Sequence, residues 1–110
     1  MAAGKYNITI DQGSDFSIQL TIKESGTAKN LTGYSARAQL RPSVTSTTLS
    51  GTFTCTITNA TAGIATMAMG YAATAALVPG KYFYDLEVYT GSVVQRLIQG
   101  NAIVRGEVTR

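Results

Sequence analysis

The chain has 110 residues, 45% of them hydrophobic and 14% charged, with a formal net charge of +3. That length suits one domain with its own core, residues 1–110, and the composition is that of a folded body rather than a disordered one. A single cysteine excludes an intrachain disulfide, and with no histidine beside it neither a tetrahedral zinc site nor a histidine-dependent triad can be assembled.

The basic residues Lys5, Lys23, Lys29, Arg37, Arg41, Lys81, Arg96, Arg105 and Arg110 are scattered, without the clustering along one face that a phosphate backbone demands. No nucleic-acid partner is therefore expected. The opening Met1-Ala2-Ala3-Gly4-Lys5 lacks the apolar core of a signal peptide, and no apolar run approaches the ~20 residues of a membrane span. These features predict a soluble protein made in a cytoplasm, with no membrane partner. On that basis the Asn-x-Thr triplets at Asn7, Asn30 and Asn59 are chance products of a threonine-rich chain rather than glycosylation acceptors.

The first elements come as a pair of alternating runs. Tyr6, Ile8 and Ile10 share one face, the turn residues Asp11-Gln12-Gly13-Ser14-Asp15 follow, and Phe16, Ile18, Leu20 and Ile22 resume the apolar set. A period of two predicts half-buried strands, and the intervening turn predicts a hairpin. After Glu24-Ser25-Gly26-Thr27, a third strand has Tyr34, Ala36, Ala38 and Leu40 inward and Ser35, Arg37, Gln39 and Arg41 outward, ending at Pro42. Residues 43–51 are polar and predict a surface loop.

A fourth strand alternates Phe53, Cys55 and Ile57 with Thr52, Thr54, Thr56 and Thr58. Threonine suits the pleat, and its uniform hydroxyl face reads as a solvated one, since one strand of threonines makes no two-dimensional array for ice or carbohydrate. A fifth strand over 64–69 has Ala65, Met67 and Met69 as its core set, and residues 71–77 predict a short helical crossover stopped by Pro79-Gly80. Residues 81–89 put Tyr82, Tyr84, Leu86 and Val88 on one face. Thr90-Gly91-Ser92 signals a tight hairpin into Val94, Arg96 and Ile98, and Gly100 reads as a bulge or kink before Ala102–Val104. The fold class expected is all-β: an antiparallel, immunoglobulin-like sandwich of seven or eight strands with one short helical crossover near 71–77.

Chemistry-bearing constellations are sparse. Asp85 and Glu87 lie two residues apart on one strand face, too close to flank a glycosidic bond from opposite sides, and read as a solvated face paired with Arg96 across the hairpin. Asp11 and Asp15 bracket a turn without the ligand density of a calcium loop, Cys55 reads as a small buried hydrophobe, and the glycines fall about one per turn rather than in a phosphate loop. No catalytic, cofactor-binding or metal site is expected, and the chain reads as a non-enzyme.

The stretches YNITIDQGSDFSIQLTI, LTGYSARAQLR at 31–41, ALVPGKYFYDLEV at 76–88 and the terminal VVQRLIQG...EVTR together resemble, in the same order and over nearly the whole chain, the N-terminal domain of siphophage baseplate upper proteins. The resemblance implies a non-enzymatic virion structural protein: an immunoglobulin-like domain, present in several copies, that docks fibre or receptor-binding components onto a tail or baseplate. Its implied partners are copies of itself, other virion proteins and, indirectly, host-surface glycan; its location is the virion, assembled in the host cytoplasm. Baseplate upper proteins continue into a helical linker and a fibre-attachment domain, and this chain stops at Arg110, so a capsid decoration or cement protein is the alternative. A carbohydrate-binding module is a second alternative, with Tyr34, Tyr71, Tyr82, Tyr84 and Tyr89 as stacking candidates that otherwise read as core and interface residues. The interface residues expected are Lys5, Arg37, Arg41 and Arg110 as rim contacts, with Val44 and Leu49 from the 42–51 loop.

Overall fold

A computed structural model describes residues 4–24 and 26–108. Its elements are β1 (Gly4–Lys5), β2 (Ile8–Asp11), β3 (Phe16–Thr21), β4 (Lys23–Glu24), β5 (Thr27–Ala28), β6 (Ser35–Arg41), β7 (Gly51–Asn59), β8 (Ile64–Met69), α1 (Tyr71–Ala75), β9 (Gly80–Thr90) and β10 (Val93–Arg105). All but β4 and β5, which pair with each other, join one sheet in the order β1-β10-β9-β6-β7-β8-β3, with β2 beside β10.

The sheet curls because β7 serves two neighbours in succession: its start pairs with β6 through Gly51–Phe53, and Thr54–Asn59 pair with β8. Alternate residues from both halves then meet inside. Ile10, Leu40, Met67, Leu86 and Val88 are completely or almost completely buried, and Phe53 stacks edgewise on Tyr84 at 6.3 Å and tilts against Phe16 at 5.8 Å. The inward sets expected for β6, β7, β8 and β9 are the ones found, and the 42–50 segment is a loop.

Four expectations are corrected. The sheet is mixed, not antiparallel: β1 and β2 both run parallel to β10, with Ile8 opposite Ala102 and Ile10 opposite Val104. The opening runs do not form a hairpin either, since β2 lies against β10 and β3 against β8. Their connection passes between the two halves of the curled sheet and is tied down on the way. Gln12 Nε2 donates to Leu77 O at 2.8 Å, the buried Thr74 hydroxyl donates to Ser14 O at 2.8 Å, and Asp15 Oδ1 accepts the Tyr71 N–H at 2.8 Å. Tyr6, expected inward, lies outside the strands and is 49% exposed.

The fourth correction concerns β10, which runs unbroken through Gly100 and carries its bulge at Leu97, between the Arg96–Glu87 and Ile98–Leu86 pairs. Leu97 is the unpaired extra residue and is buried. Gly100 has another role. A Cβ there would run into the Tyr6 carbonyl, which accepts the Tyr84 hydroxyl at 2.5 Å, so the β1–β2 connection can approach β10 this closely only at a glycine.

Candidate functional site

The outward positions of β6, β9 and β10 form three cross-strand rows. Arg37, Glu87 and Arg96 make the first; Gln39, Asp85, Gln99 and Lys5 the second; Arg41, Phe83 and Asn101 the third. The bulge is what lines them up. Strict alternation from Arg96 would turn Ile98 outward and Gln99 inward, and the extra residue Leu97 reverses that, so Gln99 and Asn101 share the face of Arg96.

Between these rows and the 42–50 loop lies an open depression of about 670 Å³, lined by Lys5, Asn7, Arg41, Val44, Phe83, Asp85, Glu87, Arg96, Gln99 and Asn101 among others. The charges alternate in sign. Arg96 Nε lies 3.1 Å from Asp85 Oδ2, Arg37 Nε lies 3.0 Å from Glu87 Oε1, and Arg41 Nη2 donates to Gln39 Oε1 at 2.9 Å. Burial, and then the neighbouring Glu87, push the Asp85 carboxyl above its ordinary range, while Arg96 and Arg41 pull it back. Lys5 is exposed and forms no ion pair among the described residues.

Of the six residues expected at an interface, the structure brings Lys5, Arg41 and Val44 together around this depression. Arg37 is on the same face, one row away, stacked over the Tyr89 ring at 4.8 Å. Leu49 is exposed in the loop but does not line the depression, and Arg110 lies outside the described residues. The Asp85–Arg96 pairing is found; Glu87, also opposite Arg96 in register, takes Arg37 as its partner. The stacking tyrosines are not brought together. Tyr84 is in the core, the Tyr82 hydroxyl donates to Val78 O at 2.6 Å, Tyr34 and Tyr89 are half-buried under Lys29 and Arg37, and only Tyr71 stands well exposed.

Two features of the remaining surface carry chemistry of their own. Cys55 is half-buried, and burial pushes its thiol up to about 11, so it is not a poised nucleophile. The threonines of β7, in contrast, are not alone. β8 and β3 add Thr66 and Ala68, then Ser17, Gln19 and Thr21, to a three-strand face on which Thr58 and Thr66 hydroxyls meet at 2.6 Å. The period-two pattern of β3 and β8 was visible in the sequence; their adjacency to β7 was not. Among the described residues no group of three or more His, Cys, Asp or Glu is placed to hold a metal ion, and no helix is long and apolar enough to cross a membrane.

No protein-family model and no curated protein matches the chain. Among solved structures, the crystal structure of Listeria monocytogenes InlP is similar over 94% of this chain and 27% of that one, at 16% identity and a TM-score of 0.53. A family 123 glycoside hydrolase from Clostridium perfringens aligns over 97% of this chain and 24% of its own, at 14% identity and a TM-score of 0.45. The chain thus spans about a quarter of the length of either protein, and the likeness to InlP is one of fold.

Proposed function

We propose that this chain is a non-enzymatic docking module of a bacteriophage tail or baseplate, an immunoglobulin-like sandwich present in several copies that connects to fibre or receptor-binding components. The observation that carries the reading is the depression on the β6–β9–β10 face, where residues distant in sequence form an open wall of alternating charge and amides, the make-up of a polar protein–protein contact. Its occupant is a carboxylate-bearing segment of a neighbouring virion protein. Lys5, Arg41 and Arg96 outnumber Asp85 and Glu87 in the lining, and among the described residues neither Lys5 nor Arg41 forms an ion pair. The passage of β7 from one half of the sheet to the other, closing two layers over one core, supports the sandwich. The resemblance of the stretches at 6–22, 31–41 and 76–88 to the siphophage domain is the ground on which a place in the virion is proposed.

Quantitative mass spectrometry of phage particles purified from the strain or phage that encodes this chain tests the reading. A baseplate module is expected at about six or twelve copies per particle, by the closed symmetry of such rings. Hundreds of copies would favour the capsid cement alternative, and absence from purified particles would overturn the virion reading. The double charge reversal Lys5→Glu with Arg41→Glu is expected to lower incorporation without changing the fold, read by far-UV circular dichroism; undiminished incorporation would overturn the assignment of the depression.

A further inference from the structure

The two ends of the strand order differ. One is built from the short segments β1 and β2, interrupted at Tyr6–Asn7 and bearing Lys5 and Asp11, with Asp11 held by Arg105 at 2.8 Å. Breaks and charges of this kind keep other strands away. The opposite edge is β3, six residues in uninterrupted pairing with β8 and containing no charge and no proline. Phe16 and Ile18 on its inner side are only half-buried, so apolar surface is left at the seam.

The register shows which backbone groups face outward. Ile22 N donates to Gly63 O at 2.7 Å, one step beyond the Thr21–Ile64 pair, so the even-numbered residues of β3 direct their N–H and C=O toward β8. Ser17, Gln19 and Thr21 therefore direct theirs to the open edge. Their side chains are exposed, and no backbone hydrogen bond joins these edge groups to another described element.

We infer that β3 pairs antiparallel with β3 of a second copy, about a twofold axis at Gln19, joining two sheets edge to edge. This register sets Gln19 against Gln19 and Ser17 against Thr21, and it satisfies all three outward N–H and C=O pairs of each copy; a shift of two residues, to Ser17 against Gln19, leaves some of them unmatched. The same register carries Asp15 of one copy opposite Lys23 of the other at both ends, and lays Ile18 against Leu20 and Phe16 against Ile22 on the inner side. A second copy is the occupant because the arrangement is self-complementary and the chain elsewhere carries a net charge of +3, which sets copies apart. β3, β7 and β8 contain no charged residue, so this is where two such copies approach without repulsion.

The inference deepens the multi-copy part of the proposed function and rests on that part alone. Sedimentation equilibrium of the full chain is expected to show a concentration-dependent dimer. Gln19→Lys and Gln19→Glu, at an exposed position, each place like charges opposite one another and are expected to weaken the dimer by about tenfold or more, while an equimolar mixture of the two restores it. Val94→Thr, a charge-neutral change at an exposed position of β10 in the other half of the sheet, is expected to leave the dimer constant within about twofold of the unmodified chain's. A chain that stays monomeric up to about 1 mM, or a dimer indifferent to both Gln19 variants, overturns the β3 pairing even if the protein is found in particles. A dimer that obeys the Gln19 pattern in a protein absent from particles leaves the pairing standing and removes the virion reading.

Discussion

At the scale of single residues, the densest information sits at Gly100. The sequence suggests a bulge or kink there, from the general habit of glycine in strands; the structure gives it a different task, as the place where the β1–β2 connection runs close beside β10 with the Tyr6 carbonyl against the bare Cα. Gly100→Ala is expected to lower stability by about 1–3 kcal/mol, as overpacking at a backbone contact does, and to disturb the Tyr84–Tyr6 hydrogen bond. Urea denaturation checks the first effect. A midpoint unchanged from the unmodified chain would show that the connection has room to move. Asp85 and Glu87 show how far the residue scale reaches from sequence: their shared face and the Arg96 partner follow from period two and the hairpin, whereas Arg37 belongs to a strand some 50 residues away and comes to Glu87 only through sheet pairing.

At the scale of elements, the segment 11–15 gains most from the tertiary structure. Read alone, two aspartates around a glycine are a turn, and a turn between alternating runs is a hairpin. The chain instead uses the segment to carry the backbone between the halves of the curled sheet, and each aspartate has a distant partner: Asp11 binds Arg105, and Asp15 accepts the first N–H of α1. α1 begins after Gly70, which offers no capping side chain, so Asp15 supplies the cap from outside the helix. Asp15→Ala is expected to cost about 1 kcal/mol, with Asp15→Asn retaining most of it, measured by thermal or urea unfolding. Equal losses in both variants would mean that charge rather than the hydrogen bond is what matters there. The bulge in β10 is the second element-level event: the sequence places it at Gly100 because glycine is its usual marker, but a buried Leu97 takes the extra position, and nothing local distinguishes that leucine.

At the scale of the whole molecule, one apolar cluster links both halves of the sheet, and its alkaline stability follows from what is held within or against it. Burial pushes Cys55 from an ordinary value of 9.0 to about 11, and burial together with Tyr6 pushes Tyr84 from 10.0 to about 12. The folded protein thus keeps two protons that the unfolded chain releases earlier. Their contribution is complete below about pH 9 and is lost as pH rises from about 9 to about 12. Urea midpoints are expected to be level between about pH 7 and 8 and to fall above about 9, with Cys55→Ala flattening the part of the fall between about 9 and 11. An identical fall in Cys55→Ala would show that the thiol is as free to ionise in the fold as outside it.

Local pattern is enough to make this a β-rich domain, to turn the inward residues of β6, β7, β8 and β9 toward the core, to set the loop and the short helix, and to put Asp85 and Glu87 on an outer face. Those properties follow from period two, turn residues and propensity, which are local. Long-range packing is what makes β1 and β2 run parallel to β10, parts β2 from β3, gathers Lys5, Arg41 and Val44 around one depression, and joins the threonines of β7 to a charge-free face ending in an open β3 edge. Strand partners are chosen by the burial of a shared core and the closure of long loops, and both are sums over the whole chain that no window of sequence contains.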